Sequence, residues 1–74
     1  MLQLNKIKNN LIEIIINSKV FYFSYNTCIA IKDENTICLT DQQYSKTTEG
    51  HKTLIKNNNQ NRIILHASIE ELTI

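Results

Sequence analysis

Proline and tryptophan are missing from these 74 residues, glycine occurs once and cysteine twice. A single glycine excludes a glycine-rich phosphate-cradling loop and leaves little from which to build an oxyanion hole. Two cysteines are far too few for a disulfide scaffold, and as free thiols they suit a reducing compartment. No apolar run reaches the roughly 18 residues that cross a bilayer. Glu13 and three asparagines break up the N-terminal apolar stretch, so it does not read as a leader. The expected location is the cytoplasm. No two carboxylates are spaced for glycosidase-type acid/base work. A net charge of +1 is too small for a protein whose main task is gripping phosphates.

Isoleucine, asparagine and lysine are abundant instead, at thirteen, ten and seven copies. An AT-rich coding sequence produces this bias, so the asparagines are not read as a prion-like tract. Charge is uneven: residues 1–32 carry four lysines and one acid, whereas residues 33–74 carry four basic and six acidic residues. The basic end permits a weakly cationic face without requiring one. Seventy-four residues make one domain, with a core taken to lie within residues 11–66. A domain this small has a thin core, and association with another chain, including a second copy as a homodimer, is one common remedy.

Along the chain, helix and strand both remain open for residues 1–16, and residues 1–10 read as irregular. Leu4, Ile7, Leu11, Ile14 and Ile15 keep helical rhythm, yet Leu11 to Ile16 is dominated by β-branched residues that favour a pleated surface. Asn9-Asn10 suits a turn, which favours a strand over 11–16. Val20–Ser24, Thr27–Lys32 and Thr36–Thr40 read as a meander of short strands, with Asn17-Ser18-Lys19 and Asp33-Glu34-Asn35 as connections. The period changes after Tyr44. Thr47 is the expected N-cap of a helix over about 47–57, Glu49 suits its first turn, and His51, Leu54 and Ile55 share one face. Asn57-Asn58-Asn59 should stop the helix in a left-handed conformation. Arg62–His66 reads as a last strand, and Ser68–Leu72 as a final helical turn or edge strand. The expected fold is α+β: a small antiparallel sheet of three to five strands with one helix packed across it.

Tyr25-Asn26-Thr27 falls where the chain turns between strands, and turn chemistry explains it if Asn26 takes positive φ. Ser45, Thr47 and Thr48 beside His51 invite a nucleophile-and-base reading, but no orienting third group is evident and helix capping accounts for the hydroxyls. His51 is read as a core-edge histidine bonded to backbone or to a strand hydroxyl. Cys28, Cys38, His51 and His66 lack the close pairing that zinc ligands show, so no metal or other cofactor is expected. Lys46, Lys52 and Lys56 with Tyr44 are ordinary for the wet face of a helix.

Phe23-Ser24-Tyr25-Asn26-Thr27-x-Ile29-Ala30, followed after a short strand by Tyr44-Ser45-x-Thr47-Thr48-x-x-His51, resembles a group of small uncharacterised phage and mobile-element proteins. In that group a strand pair ending in an S-Y-x-T-type turn precedes a helix that opens with T-T-x-x-H. The resemblance covers about residues 20–56, and Gly50 departs from it by standing where a better helix former belongs. It implies a phage or prophage origin and identifies no catalytic residue. The expectation is therefore a non-enzymatic, phage-like accessory protein that binds a host or phage protein, for example to inhibit a host defence enzyme. The expected contact residues are Tyr22, Tyr25, Asn26 and Tyr44, because tyrosine offers contact area with a polar tip. The alternatives are a small nucleic-acid-binding regulator using Lys6, Lys8, Lys19 and the helix lysines, and a hydrolase centred on Ser45 and His51.

Overall fold

A computed structural model describes residues 2–69. Six strands and one helix follow one another along the chain: β1 (Leu2–Lys8), β2 (Leu11–Ile16), β3 (Lys19–Ser24), β4 (Thr27–Lys32), β5 (Thr36–Thr40), α1 (Lys46–Asn57) and β6 (Ile63–Ala67). The strands form one sheet in chain order. The α+β class is as expected, but the sheet has six strands rather than three to five. One extra strand is β1, an edge strand paired antiparallel with β2 over residues whose pattern leaves helix and strand open. The other difference lies at the far edge, where β6 runs parallel to β5. A parallel neighbour needs a crossover, and α1 supplies it. Of the anticipated element over Ser68–Leu72, Ser68 and Ile69 have no regular structure and the rest lies outside the described residues.

Two-residue connections close the first three hairpins, and three residues, 33–35, join β4 to β5. Asn10 and Asn17 take positive φ, 63° and 56°, where asparagine is tolerated best. In the third hairpin the left-handed residue is Tyr25, at φ 56°, rather than Asn26. The Tyr25 N–H donates to the Asn10 carbonyl at 2.7 Å, which ties this turn to the neighbouring one and holds the bulky residue in that conformation.

The helix begins two residues earlier than the threonines suggest, with the N-cap at Ser45 rather than Thr47. Ser45, in extended conformation, is the N-cap, and its hydroxyl accepts from the Thr48 N–H. Glu49 reaches back to accept from the Tyr44 N–H at 2.9 Å, so both polar groups serve the first turn. Thr47 is exposed and caps nothing. At the other end no left-handed residue occurs. Asn58 stays right-handed, and the buried Asn59 side chain donates to the Ile55 carbonyl at 2.7 Å, doing the work anticipated for a left-handed stop.

Strand pairing divides the sheet into two faces, because residues directly opposite one another project to the same side. One face lies under α1. Its core is Leu11, Tyr22, Ile29, Ala30, Ile37, Leu39 and Ile55, with Val20, Tyr44, Leu54 and Ile64 packed around it. A bulge between Tyr22 and Phe23 inserts Ile29 on β4, and both Ile29 and Ala30 join this core. The other face is apolar as well. Leu4, Ile14, Phe21, Ile31, Cys38 and Leu65 pair in succession from β1 to β6 and make one unbroken row across it. Leu2, Ile12, Ile16, Phe23 and Ile63 flank that row. None of these side chains belongs to the core beneath the helix.

Candidate functional site

Two features of the fold carry functional interest: a polar cluster beneath the helix N-terminus and the apolar outer face. The polar cluster begins with Ser24, the last residue of β3, which alternation places on the helix side two positions after Tyr22. Its Oγ lies 2.7 Å from His51 Nδ1 and 2.9 Å from Thr48 Oγ1. Thr48 in turn accepts from the Ser45 hydroxyl at 3.4 Å. His51, Thr48 and Ser24 are buried, at 2%, 5% and 2% exposure. Burial, helped by the nearby positive charge of Lys8, holds the His51 imidazole below its usual range. A neutral ring protonated at Nε2 lets Ser45, Thr48 and Ser24 each donate onward, ending at Nδ1. The strand hydroxyl anticipated as the partner of His51 is thus Ser24, a residue the sequence reading did not single out. The signal was available, since β3 alternation puts Tyr22 and Ser24 together on the helix side.

A serine hydroxyl donating to a histidine is the first half of a nucleophilic triad. Here the second half is not assembled. Among the described residues no carboxylate pairs with His51, and neither of two concavities on the surface is lined by Ser24 or His51. The larger, about 350 Å³, lies beside α1 and is lined in part by Asp41, Glu49, Lys52, Lys56 and His66. The smaller, about 220 Å³, sits between Ile7, Glu13 and the C-terminal turn of α1. Tyr25 stands over the cluster with its ring centroid 6.4 Å from that of His51. The arrangement anchors the helix to the sheet: every buried side-chain polar atom among the described residues has a partner.

The residues weighed as metal ligands are separated by the sheet. Cys38 pairs with Ile31 and Leu65 on the outer face, whereas His51 lies beneath the helix. Cys28 is buried, which pushes its thiol up, and it donates to the Ala30 carbonyl at 3.6 Å. No group of three metal-binding side chains occurs among the described residues.

The anticipated contact residues do not stay together as a surface. Tyr22 is 4% exposed, a core residue with the Lys32 ammonium 5.7 Å from its ring centroid, so it presents nothing to a partner. The reason is its alternation partner: the side of β3 that carries Tyr22 is the side α1 covers. Tyr44 is half-buried against the core, with its hydroxyl donating to Gln42. Tyr25 and Asn26 remain exposed at the hairpin tip. Of the helix lysines, Lys52 is engaged by Glu49 at 3.1 Å and by the Gln42 carbonyl at 3.0 Å, which weakens any cationic stripe.

The outer face is the more extensive feature. Leu2, Leu4, Ile16, Ile63 and Leu65 are 70%, 59%, 43%, 62% and 48% exposed, and they occupy both margins of the sheet. Toward the middle, Ile14, Phe21, Ile31 and Cys38 shield one another and are half-buried. Among the described residues no strand residue on this side is acidic; Glu13, the one acid within the described strands, pairs with Tyr22 on the helix side and accepts from Asn5 at 3.1 Å. Lys6 and Lys19 sit in rows at opposite ends of the outer face. The one local signal of this surface is Leu11 to Ile16, apolar at every position but one, the pattern of a strand whose two sides both seek cover.

Among the described residues no helix is long and apolar enough to cross a membrane. Neither the curated proteins nor the solved structures offer a match to the chain. A protein-family model does match, over residues 2–71, which spans every strand and the helix. The chain belongs to the Family of unknown function (DUF8033).

Proposed function

We propose that this chain is a non-enzymatic accessory protein that works by binding another protein, with the outer face of its sheet as the contact surface. The observation that carries this reading is the apolar row from Leu4 through Ile14, Phe21, Ile31 and Cys38 to Leu65, which lies on the side of the sheet away from α1. A sheet with two apolar faces needs cover on both, and contiguous exposed apolar area of this kind marks interaction sites. The buried Ser24–His51 pair supports the non-enzymatic part, since both side chains are almost wholly removed from solvent. Tyr25 and Asn26, exposed at a hairpin tip, offer a second and smaller contact. The motif resemblance supports a phage or prophage setting, in which the partner is a host or phage protein and inhibition of a host defence enzyme is one concrete outcome. Among the described residues the outer face carries only Lys6 and Lys19 as basic groups, which favours a protein partner over nucleic acid, since nucleic acid needs several phosphate contacts.

The test is capture of partners from a lysate of the source cell, with wild type and Leu65→Glu compared side by side. A protein held by wild type and lost with the variant supports the reading, provided the variant keeps its far-UV circular dichroism. Hydrolytic turnover by wild type that His51→Ala abolishes contradicts it.

A further inference from the structure

We infer that the partner of the outer face is a second copy of this chain, packed sheet against sheet as a two-fold dimer. This rests on reading that face as a contact surface and narrows its occupant to a second copy, so that a host or phage protein meets the dimer at the exposed Tyr25 and Asn26 instead. Among the described residues α1 is the only element outside the sheet, and it lies on the other side, so none of the described elements covers the row from Leu4 to Leu65.

Size decides whether a second copy suffices. Six strands about 4.8 Å apart, each presenting five or six residues at about 3.3 Å, make a face on the order of 500 Å². Two such faces together bury about 1,000 Å², the level at which specific association begins, and their side-chain relief raises the true figure. Chemistry points the same way. A two-fold contact requires a surface complementary to itself, and among the described residues this one is: apolar side chains in the middle, no acid in its strands, and lysines only in its end rows. A nucleic acid or a strongly charged protein would gain nothing from it. Aligned sheets stack about 10 Å apart with their inner side chains interdigitated. In that arrangement the highly exposed Leu2, Leu4, Ile63 and Leu65 at the margins close over the half-buried centre. The dimer is then a four-layer unit, helix, sheet, sheet, helix, with Tyr25 and Asn26 still free at the hairpin tips.

Sedimentation equilibrium reads the result directly. Wild type is expected at twice the 8.6 kDa chain mass at about 100 μM. Leu4→Glu and Leu65→Glu each place an unpaired carboxylate in the contact and are expected to weaken it by at least about 100-fold, giving the single-chain mass. Both side chains are largely exposed in the lone chain, so its fold and circular dichroism should persist. Lys56→Glu, on the helix, should leave the mass unchanged. A wild type that stays at 8.6 kDa up to about 1 mM overturns the inference, as does a dimer that both outer-face variants leave intact. A monomeric wild type whose separate protein partner is lost with Leu65→Glu overturns the second copy while the contact-face reading stands. Outer-face variants that alter neither mass nor partner binding overturn both.

Discussion

Ser24→Ala removes one hydroxyl and disturbs three residues. Ser24 Oγ is the junction between His51 Nδ1 at 2.7 Å and Thr48 Oγ1 at 2.9 Å, and all three side chains are buried. Alanine introduces no strain at a strand end, so the cost is that of the partners left behind. Thr48 keeps its contact with Ser45, but the imidazole nitrogen loses its donor inside the protein. A buried polar group left without a partner costs about 1–3 kcal/mol, and a loss of about 2 kcal/mol is expected here. For a domain of this size that lowers Tm by about 8–16 °C. Urea or thermal denaturation followed by circular dichroism, at one fixed protein concentration, gives the figure. A cycle with His51→Leu sharpens it: the double variant should be less destabilised than the two singles combined, by about 1 kcal/mol, because they share one interaction. A Ser24→Ala protein within about 0.5 kcal/mol of wild type would refute the idea that this hydroxyl seats the helix.

Other consequences follow from single features. Gly50 lies in α1 without positive φ, and a Cβ there would meet nothing within 4 Å, so Gly50→Ala should raise stability by about 0.5–1 kcal/mol. Ser45→Ala should cost about 1 kcal/mol as the true N-cap, whereas Thr47→Ala should change stability by less than about 0.5 kcal/mol. Because burial holds the His51 pKa below that of the unfolded chain, the unfolded state takes up its proton first. Stability should therefore be complete above about pH 6.5 and decline as pH falls below it, and urea midpoints at pH 7.5 and 5.5 should differ in wild type more than in His51→Leu.

What the sequence made legible was local. Asn10 and Asn17 mark their turns because asparagine accepts positive φ, and the meander over β3, β4 and β5 follows from β-branched and aromatic runs. His51 was placed correctly beneath the helix by its spacing from Ile55. The misplacements have physical causes. Tyr25, rather than Asn26, takes the left-handed position because its N–H is held by Asn10 on a neighbouring hairpin, a contact no local pattern encodes. Ser45 wins the N-cap over Thr47 because its hydroxyl meets the Thr48 N–H while Glu49 meets that of Tyr44. The parallel pairing of β6 depends on where α1 lands. Tyr22 looked like a contact residue because its type suits interfaces, but strand alternation turns it inward. The outer face went unread for the opposite reason: Ile14, Phe21, Ile31 and Leu65 come from distant segments, and only the cross-strand register aligns them.

The account stands most directly on whether water reaches the outer face when the protein is at work. Isoleucine and leucine methyl spectra recorded with a soluble paramagnetic agent measure that residue by residue. At concentrations where the chain is associated, the methyls of Leu4, Ile14, Ile63 and Leu65 should be shielded, and dilution should expose the marginal ones. Methyls on that row that stay fully relaxed by the agent at every concentration, with or without a binding partner, would contradict it.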